Sequence, residues 1–325
     1  MPLDVVQNAR AGSAVVRLGF QRGNEREYMT ARYGLRSFVI SKVFTRALRL
    51  WYGSFPHVIR VESTNYCNSN CIMCPHSRLT RPKAVMSVSL FRKIVDECAA
   101  HGLRKMHLHN FGEPLLDDTL AEKLRIARDA GIGKIKLFTN GSLLTGDRLD
   151  ALLDAPPNEI KISIDGATKK TFESIRVGLD YDAVCRNVLA LMEAKRRRAP
   201  GLGVILTWVT VARNRDEVDA FRRQWRGKVD GVVIEPEHNW ASDAHSDRNG
   251  SMHACLRPFE SMTILATGKV SLCCMDWDGT VDLGDVTTQR LEDIWRGERF
   301  EEIRRAHMRR DFSELAICRN CSKIY

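Results

Sequence analysis

From residue 57 onward the chain switches repeatedly between two hydrophobic periods. Short β-branched runs at 57–63, 105–110, 134–139, 159–165, 203–211 and 229–235 read as strands. Between them, apolar residues recur at helical spacing. Leu90, Phe91, Ile94, Val95 and Cys98 follow candidate caps at Ser87 and Ser89. Leu120, Leu124 and Ala127 follow Asp117, a candidate cap, and Gly131 reads as the stop. Further helical patterns cover 149–153, 182–197 and 218–225. Six β-then-α units in succession predict a parallel sheet with outer helices. Six units rather than eight predict an open barrel, so the expected class is α/β, a partial (β/α)6 barrel.

The periodicity fails over 236–254, where turn formers dominate. After it come short strand-like runs at 262–265 and 269–273, then one helical pattern over 291–308. The expected organisation is therefore an N-terminal extension at 1–56, the barrel at 57–240, a linker at 241–254 and a small cysteine-rich domain at 255–325. A chain of 325 residues is long enough for both domains to have cores of their own.

Composition adds little: 44% hydrophobic and 28% charged residues are ordinary for a globular protein. No apolar run reaches a transmembrane length. Asp4, Arg10 and Arg17 interrupt any signal-peptide core. Ten cysteines without an export signal fit a reducing cytoplasm, where spaced cysteines serve metals more often than disulfides. The net charge of +10 is uneven, because residues 1–56 hold nine Arg and Lys against three acids. Residues 32–51 read as a basic amphipathic helix, which makes the extension a helical one. That helix suits either a membrane-surface contact or packing on the domain exterior with its basic side in water. No aromatic platform accompanies the charge, which argues against nucleic acid.

The chemistry concentrates on cysteine. Cys67, Cys71 and Cys74 form a C-x3-C-x2-C run immediately after the first barrel strand. Three thiolates on one short loop can hold three irons of a [4Fe–4S] cluster and leave the fourth open to substrate or cofactor. A structural zinc site or buried free thiols are the alternatives, although zinc favours four ligands and paired C-x2-C. Cys255, Cys273, Cys318 and Cys321 form a second set, with Gly268 five residues before Cys273 and a closing C-x2-C. A four-cysteine zinc site is its simplest rival. Cys98 and Cys185 lie on helical patterns and read as packing. Cys274 adjoins Cys273 and would, on a strand, point to the opposite face. His238, His245 and His253 in the linker read as solvated residues rather than a metal trio.

Together these motifs resemble the radical S-adenosylmethionine (radical SAM) superfamily. The resemblance rests on the cysteine loop, the turn Phe111-Gly112-Glu113-Pro114, Thr139-Asn140-Gly141, and Ser163-Ile164-Asp165-Gly166 with Arg176 beyond. All of these follow or end barrel strands, on the face where such folds carry their active sites. The C-terminal set resembles the twitch domain, the short form of the SPASM extension. The resemblance implies S-adenosyl-L-methionine and two [4Fe–4S] clusters as cofactors. The turn at Gly112, Glu113 and Pro114 would receive the methionyl amino group. Ser163 and Arg176 would hold its carboxylate, and Asn140 would reach adenine or ribose. A surface salt bridge is the alternative for Arg176, and plain turn geometry for Asn140.

The implied reaction begins with a 5′-deoxyadenosyl radical that abstracts hydrogen from an unactivated C–H. The cysteine architecture resembles twitch enzymes that oxidise a secondary alcohol of an aminocyclitol or sugar, with the auxiliary cluster as electron acceptor. Epimerisation of a sugar carbon, with a thiol such as Cys274 as hydrogen donor, and peptide modification are alternatives. A non-enzymatic electron carrier or zinc-stapled module is a more distant one. The expected partners are a small carbohydrate or cyclitol substrate and a one-electron reductant such as flavodoxin or ferredoxin. Glu235, Glu237 and His238, with Asn239 and Trp240, follow the sixth strand and are the candidate substrate contacts.

Overall fold

The computed structural model describes residues 3–7, 14–22, 25–32, 53–241, 255–319 and 321. The first 32 residues correct the expectation of a helical extension. Leu3–Gln7 (β1), Ala14–Arg22 (β2) and Glu25–Arg32 (β3) form an antiparallel sheet in that order. Arg22 pairs with Glu25 across the sequence Gly-Asn, a two-residue hairpin signal that the charge-based reading passed over. The basic helix expected from Arg32 lies outside the described residues beyond that strand end.

Six strands then build the expected parallel sheet: Val58–Val61 (β4), Lys105–His107 (β5), Lys134–Thr139 (β6), Glu159–Ser163 (β7), Gly203–Thr210 (β8) and Gly231–Pro236 (β9). Each neighbouring pair is parallel, with His107 opposite both Arg60 and Lys136. The helices between them include Val88–Ala100, where Ser87 accepts from the Leu90 amide as its cap, and Tyr181–Arg198, capped by Asp180. Asp117 does not cap Leu120–Asp129. It pairs instead with Lys123 at 2.6 Å, both side chains fully buried. A short helix, Lys169–Ile175, went unread because it has barely two turns.

The strands sort their residues by face. Ile59, Val61, Met106, Leu108, Ile135, Leu137, Ile160, Ile162, Val204 and Leu206 are buried in the core. Burial of each such side chain contributes about 1.5–3 kcal/mol. The alternate positions, Arg60, Glu62, His107, Lys136, Lys161, Ser163 and Thr207, therefore face the concave side. A closed barrel of this type fills its interior with Val, Ile and Leu. This concave face is largely polar, with Phe138 and Ile205 as apolar members.

The C-terminal region does not form a core of its own. Ser261–Ile264 (β10) pairs in parallel with β4, and Val270–Ser271 (β11) pairs antiparallel with β10. They extend one sheet to eight strands, in the order β11-β10-β4-β5-β6-β7-β8-β9. Phe259, Met262, Ile264, Leu291, Trp295 and Phe300 join the hydrophobic cluster of the barrel. The edge of β4, bare in an isolated open barrel, is thus covered. The single helix expected over 291–308 is two, Leu291–Arg296 and Glu298–Arg309, separated at Gly297.

Candidate active site

The cysteine loop leaves β4 and is held from three directions. Asn70 and Ile72 donate backbone bonds to Val177 and Ile175, beyond β7. The Asn68 side chain bonds Ser142 and Asn140, beyond β6. The Glu113 amide donates to the Tyr66 carbonyl at 2.7 Å, beyond β5. Within the loop, the Ser69 hydroxyl lies 3.4 Å from both the Cys67 and Cys71 sulfurs. Burial pushes the Cys74 thiol up to about 11 and also raises that of Cys67.

Gly112 packs so tightly on this loop that only glycine fits. Its φ is +93°, and a Cβ there would meet the Thr64 carbonyl oxygen at 2.6 Å and that of Tyr66 at 2.7 Å. Glu113 is fully buried, and its carboxylate is spent inside the protein. One oxygen accepts from the Leu115 amide and the Thr139 hydroxyl, the other from the Asn140 amide at 2.7 Å. Its side chain thus ties the turn after β5 to the turn after β6, while the Glu113 and Pro114 carbonyls accept from the Leu116 and Asp117 amides. Phe111, which stands where the family turn has glycine, is buried with its ring 5.2 Å from that of Trp240. Trp240 donates its indole N–H to the Met73 carbonyl and so braces the cysteine loop from the far end of the barrel.

Arg176 is in an ion pair, but not at the surface. Its Nε and Nη2 both bond the fully buried Asp165 carboxylate, at 2.6 and 2.5 Å. Two of the guanidinium nitrogens are thus committed to Asp165. Nη1 remains, 3.5 Å from the Cys71 sulfur. Asn140 makes the turn geometry of the alternative reading, its Oδ1 accepting from the Ser142 amide and hydroxyl. Ser163 lies on the concave face beside Thr207, with 3.2 Å between the hydroxyls. Glu235 shares that face, where its charge bears on Lys161. Glu237 is exposed, and the His238 ring lies 4.5 Å from Trp240. His245 and His253 fall outside the described residues.

One residue the sequence reading missed organises the site. Glu62, at the end of β4, is fully buried and accepts from both arms of Arg81, at 2.6 and 2.7 Å. It also accepts from the Phe111 and Ala266 amides. An acid placed directly before a cysteine loop, inside an apolar strand, was the available signal.

The second cysteine set gathers around the C-terminal chain. Mutual charge effects connect Cys255 with Cys321 and Cys274, and Cys318 with Cys255 and Cys321. Burial raises the Cys255 thiol to about 11 and pushes Cys273 and Cys318 up as well. Cys274 is not on a strand, because β11 ends at Ser271. It sits near Cys273 and Cys255 rather than on an opposite face. His307 joins the set. The Cys255 amide donates to its Nδ1 at 3.1 Å, which leaves the proton of the neutral ring on Nε2, 3.5 Å from the Cys318 sulfur. Among the described residues, no three His, Cys, Asp or Glu side chains stand close enough to enclose a single metal ion. The donors themselves suit clusters: sulfur in sets of three and four, with Arg176 beside one set to offset thiolate charge.

The two sets are braced against each other. Asp278 accepts from the Thr80 amide and hydroxyl and from the Arg81 amide, and Arg81 Nε donates to the Trp277 carbonyl.

Comparisons agree with this geometry. Residues 61–223 match the model of the radical SAM superfamily, and residues 255–322 match an iron–sulfur cluster-binding domain, SPASM. The S-adenosyl-L-methionine-dependent 2-deoxy-scyllo-inosamine dehydrogenase of Niallia circulans is 22% identical over 82% of this chain and 93% of its own. The AdoMet-dependent heme synthase of Methanosarcina barkeri is 32% identical, but over only 37% of this chain and 34% of its own. Among solved structures, BtrN in complex with AdoMet and 2-DOIA superposes with a TM-score of 0.59, at 18% identity, over 83% of this chain and 94% of BtrN. Among the described residues no helix is long and apolar enough to cross a membrane. The chain belongs to the radical SAM superfamily: it is an enzyme that uses S-adenosylmethionine and iron–sulfur clusters, with a cluster-binding domain at its C-terminal end.

Proposed function

We propose that this enzyme oxidises a secondary alcohol of a carbohydrate or cyclitol to a ketone. The observation that carries the reading is the second cysteine set, four thiols braced through Asp278 and Trp277 on the loop that follows the first set. When bound, the cofactors supply the species that removes a hydrogen atom from a C–H bond and a second cluster to take up the remaining electron, while the hydroxyl proton leaves to solvent. Everything else falls to the chain. Cys67, Cys71 and Cys74 would hold the first cluster, and the backbone at Gly112–Pro114 would seat the methionyl amino group. Cys255, Cys273, Cys318 and Cys321 would hold the second. The polar concave face, with Ser163, Thr207 and Glu235, suits a hydroxyl-rich molecule. A small electron-transfer protein would supply the first electron.

Epimerisation is a second reading with an observation behind it, because Cys274 lies among the second set. Turnover in deuterium oxide separates the two. A ketone two mass units lighter than the substrate supports oxidation. An isomer carrying one deuterium at the reacting carbon refutes it, and would make Cys274→Ser the next variant to test.

A further inference from the structure

The concave face is basic as well as polar. Arg60 Nη1 lies 2.8 Å from His107 Nδ1. A guanidinium only donates, so Nδ1 accepts and the ring proton of neutral His107 is on Nε2. That Nε2–H is buried without a hydrogen-bond partner, on a residue only 8% exposed. His109, two residues on and on the same face, leaves Nδ1 buried and unpartnered too. Its ring centroid lies 3.8 Å from that of Phe138, and Lys161 Nζ stands 5.1 Å from the same Phe138 centroid. Burial first, and then the charges of Arg60, Lys161, Lys136 and Arg257, hold His109 well below the usual histidine range. The charged groups weighing most on His107 are likewise cationic. Acids also stand on this face: Glu159 bonds Lys136 and Lys134, Glu62 bonds Arg81, and the charge of Glu235 bears on Lys161, but none of them accepts from His107 Nε2–H.

A buried N–H left without an acceptor costs about 1–3 kcal/mol. Cations crowded together in a cleft of low dielectric repel one another. Both costs are relieved by an anion accepting from His107 Nε2–H among Arg60 and Lys161. We infer that the substrate carries an anionic group, a phosphate or a carboxylate, seated on the concave face at Arg60, His107, His109 and Lys161. This rests on the proposed site and narrows its substrate class: an anionic carbohydrate or cyclitol rather than an aminocyclitol, whose ammonium these cations repel.

The test uses the protein with both clusters reconstituted and follows its anaerobic thermal midpoint at constant ionic strength. The probes are inorganic phosphate, acetate and methylammonium. A ligand of the folded state raises the midpoint in proportion to its occupancy. Phosphate or acetate is expected to raise it. Phosphate alone points to a phosphoryl group, and acetate alone to a sugar acid. Arg60→Met and, independently, Lys161→Met should each reduce that gain at least tenfold in apparent affinity, with iron content unchanged as the check on folding. A gain with methylammonium, no gain with either anion, or an equal gain in both variants overturns the inference. None of these outcomes depends on the reaction. A wrong dehydrogenase reading shows itself separately, as a deuterated isomer in place of a ketone.

Discussion

The two cysteine sets bring sulfur together in opposite ways. The first occupies eight consecutive residues, and its protein partners reach it from the ends of three neighbouring strands. A permanent cation, Arg176, faces one of its sulfurs. The second draws on positions from 255 to 321, with a neutral histidine toward one sulfur. Local spacing builds the first; docking of β10 on β4 and the packing of Glu298–Arg309 build the second. The contrast matches the roles proposed for them. An open iron needs a ligand set that stops at three, on an accessible loop. An electron acceptor needs a complete set, and the second set has four thiols.

The sharpest way to break this division is to remove one set at a time. The intact protein should hold about eight irons, and replacing Cys67, Cys71 and Cys74 together by Ala should leave about four, two clusters and then one. Loss of all iron, or of none, in the triple variant would show that the sets are not independent. In the same comparison, Cys71→Ala should abolish formation of 5′-deoxyadenosine, measured by chromatography with a strong reductant.

Damage to the second set should look different. Cys321→Ala is expected to suppress product while leaving some 5′-deoxyadenosine release, since hydrogen abstraction depends on the first set. Equal loss of both would mean that the second set supports the fold of the first site rather than accepting an electron.

Partial effects should follow at the bracing residues. Arg176→Leu strands the buried Asp165 carboxylate, at a cost of about 3–5 kcal/mol. Chemical denaturation should show this as a lower midpoint, and Arg176→Leu combined with Asp165→Leu should recover part of it. Glu113→Ala leaves the Leu115 amide, the Thr139 hydroxyl and the Asn140 amide without their acceptor, at about 1–3 kcal/mol for each buried donor. S-adenosylmethionine binding should weaken but survive, because the turn's backbone remains; complete loss would mean that the carboxylate itself meets the ligand. The smallest effect belongs to Asp278→Ala, which cuts the brace between the sets at a half-buried point. It should cost about 1 kcal/mol in the same denaturation assay, and lower the yield of product per 5′-deoxyadenosine only if the brace sets the separation of the two sites.

The six barrel strands were legible from the chain because each is a short β-branched run set between helical patterns. The C-x3-C-x2-C loop was legible because its geometry is local, and so were the turns at Gly112, Asn140 and Ser163, which stand at strand ends. The N-terminal meander was missed because charge drew attention away from the alternation at 14–22. Local pattern could not show that β10 would extend the barrel sheet, since strand pairing across two hundred residues leaves no periodic mark. The same holds for Glu62, which takes its partners from Arg81, Phe111 and Ala266, and for the capture of Arg176 by Asp165. His107 and His109 looked like ordinary strand residues. Only the closing of six strands around them sets their rings among Arg60, Lys136 and Lys161 and makes the concave face a site for charge. The sequence by itself thus determined which residues bear the chemistry and on which strand ends they sit, because spacing and period are properties of neighbouring residues. The tertiary structure decided what each one faces, because partners, burial and electric field come from segments that meet only when the sheet curves.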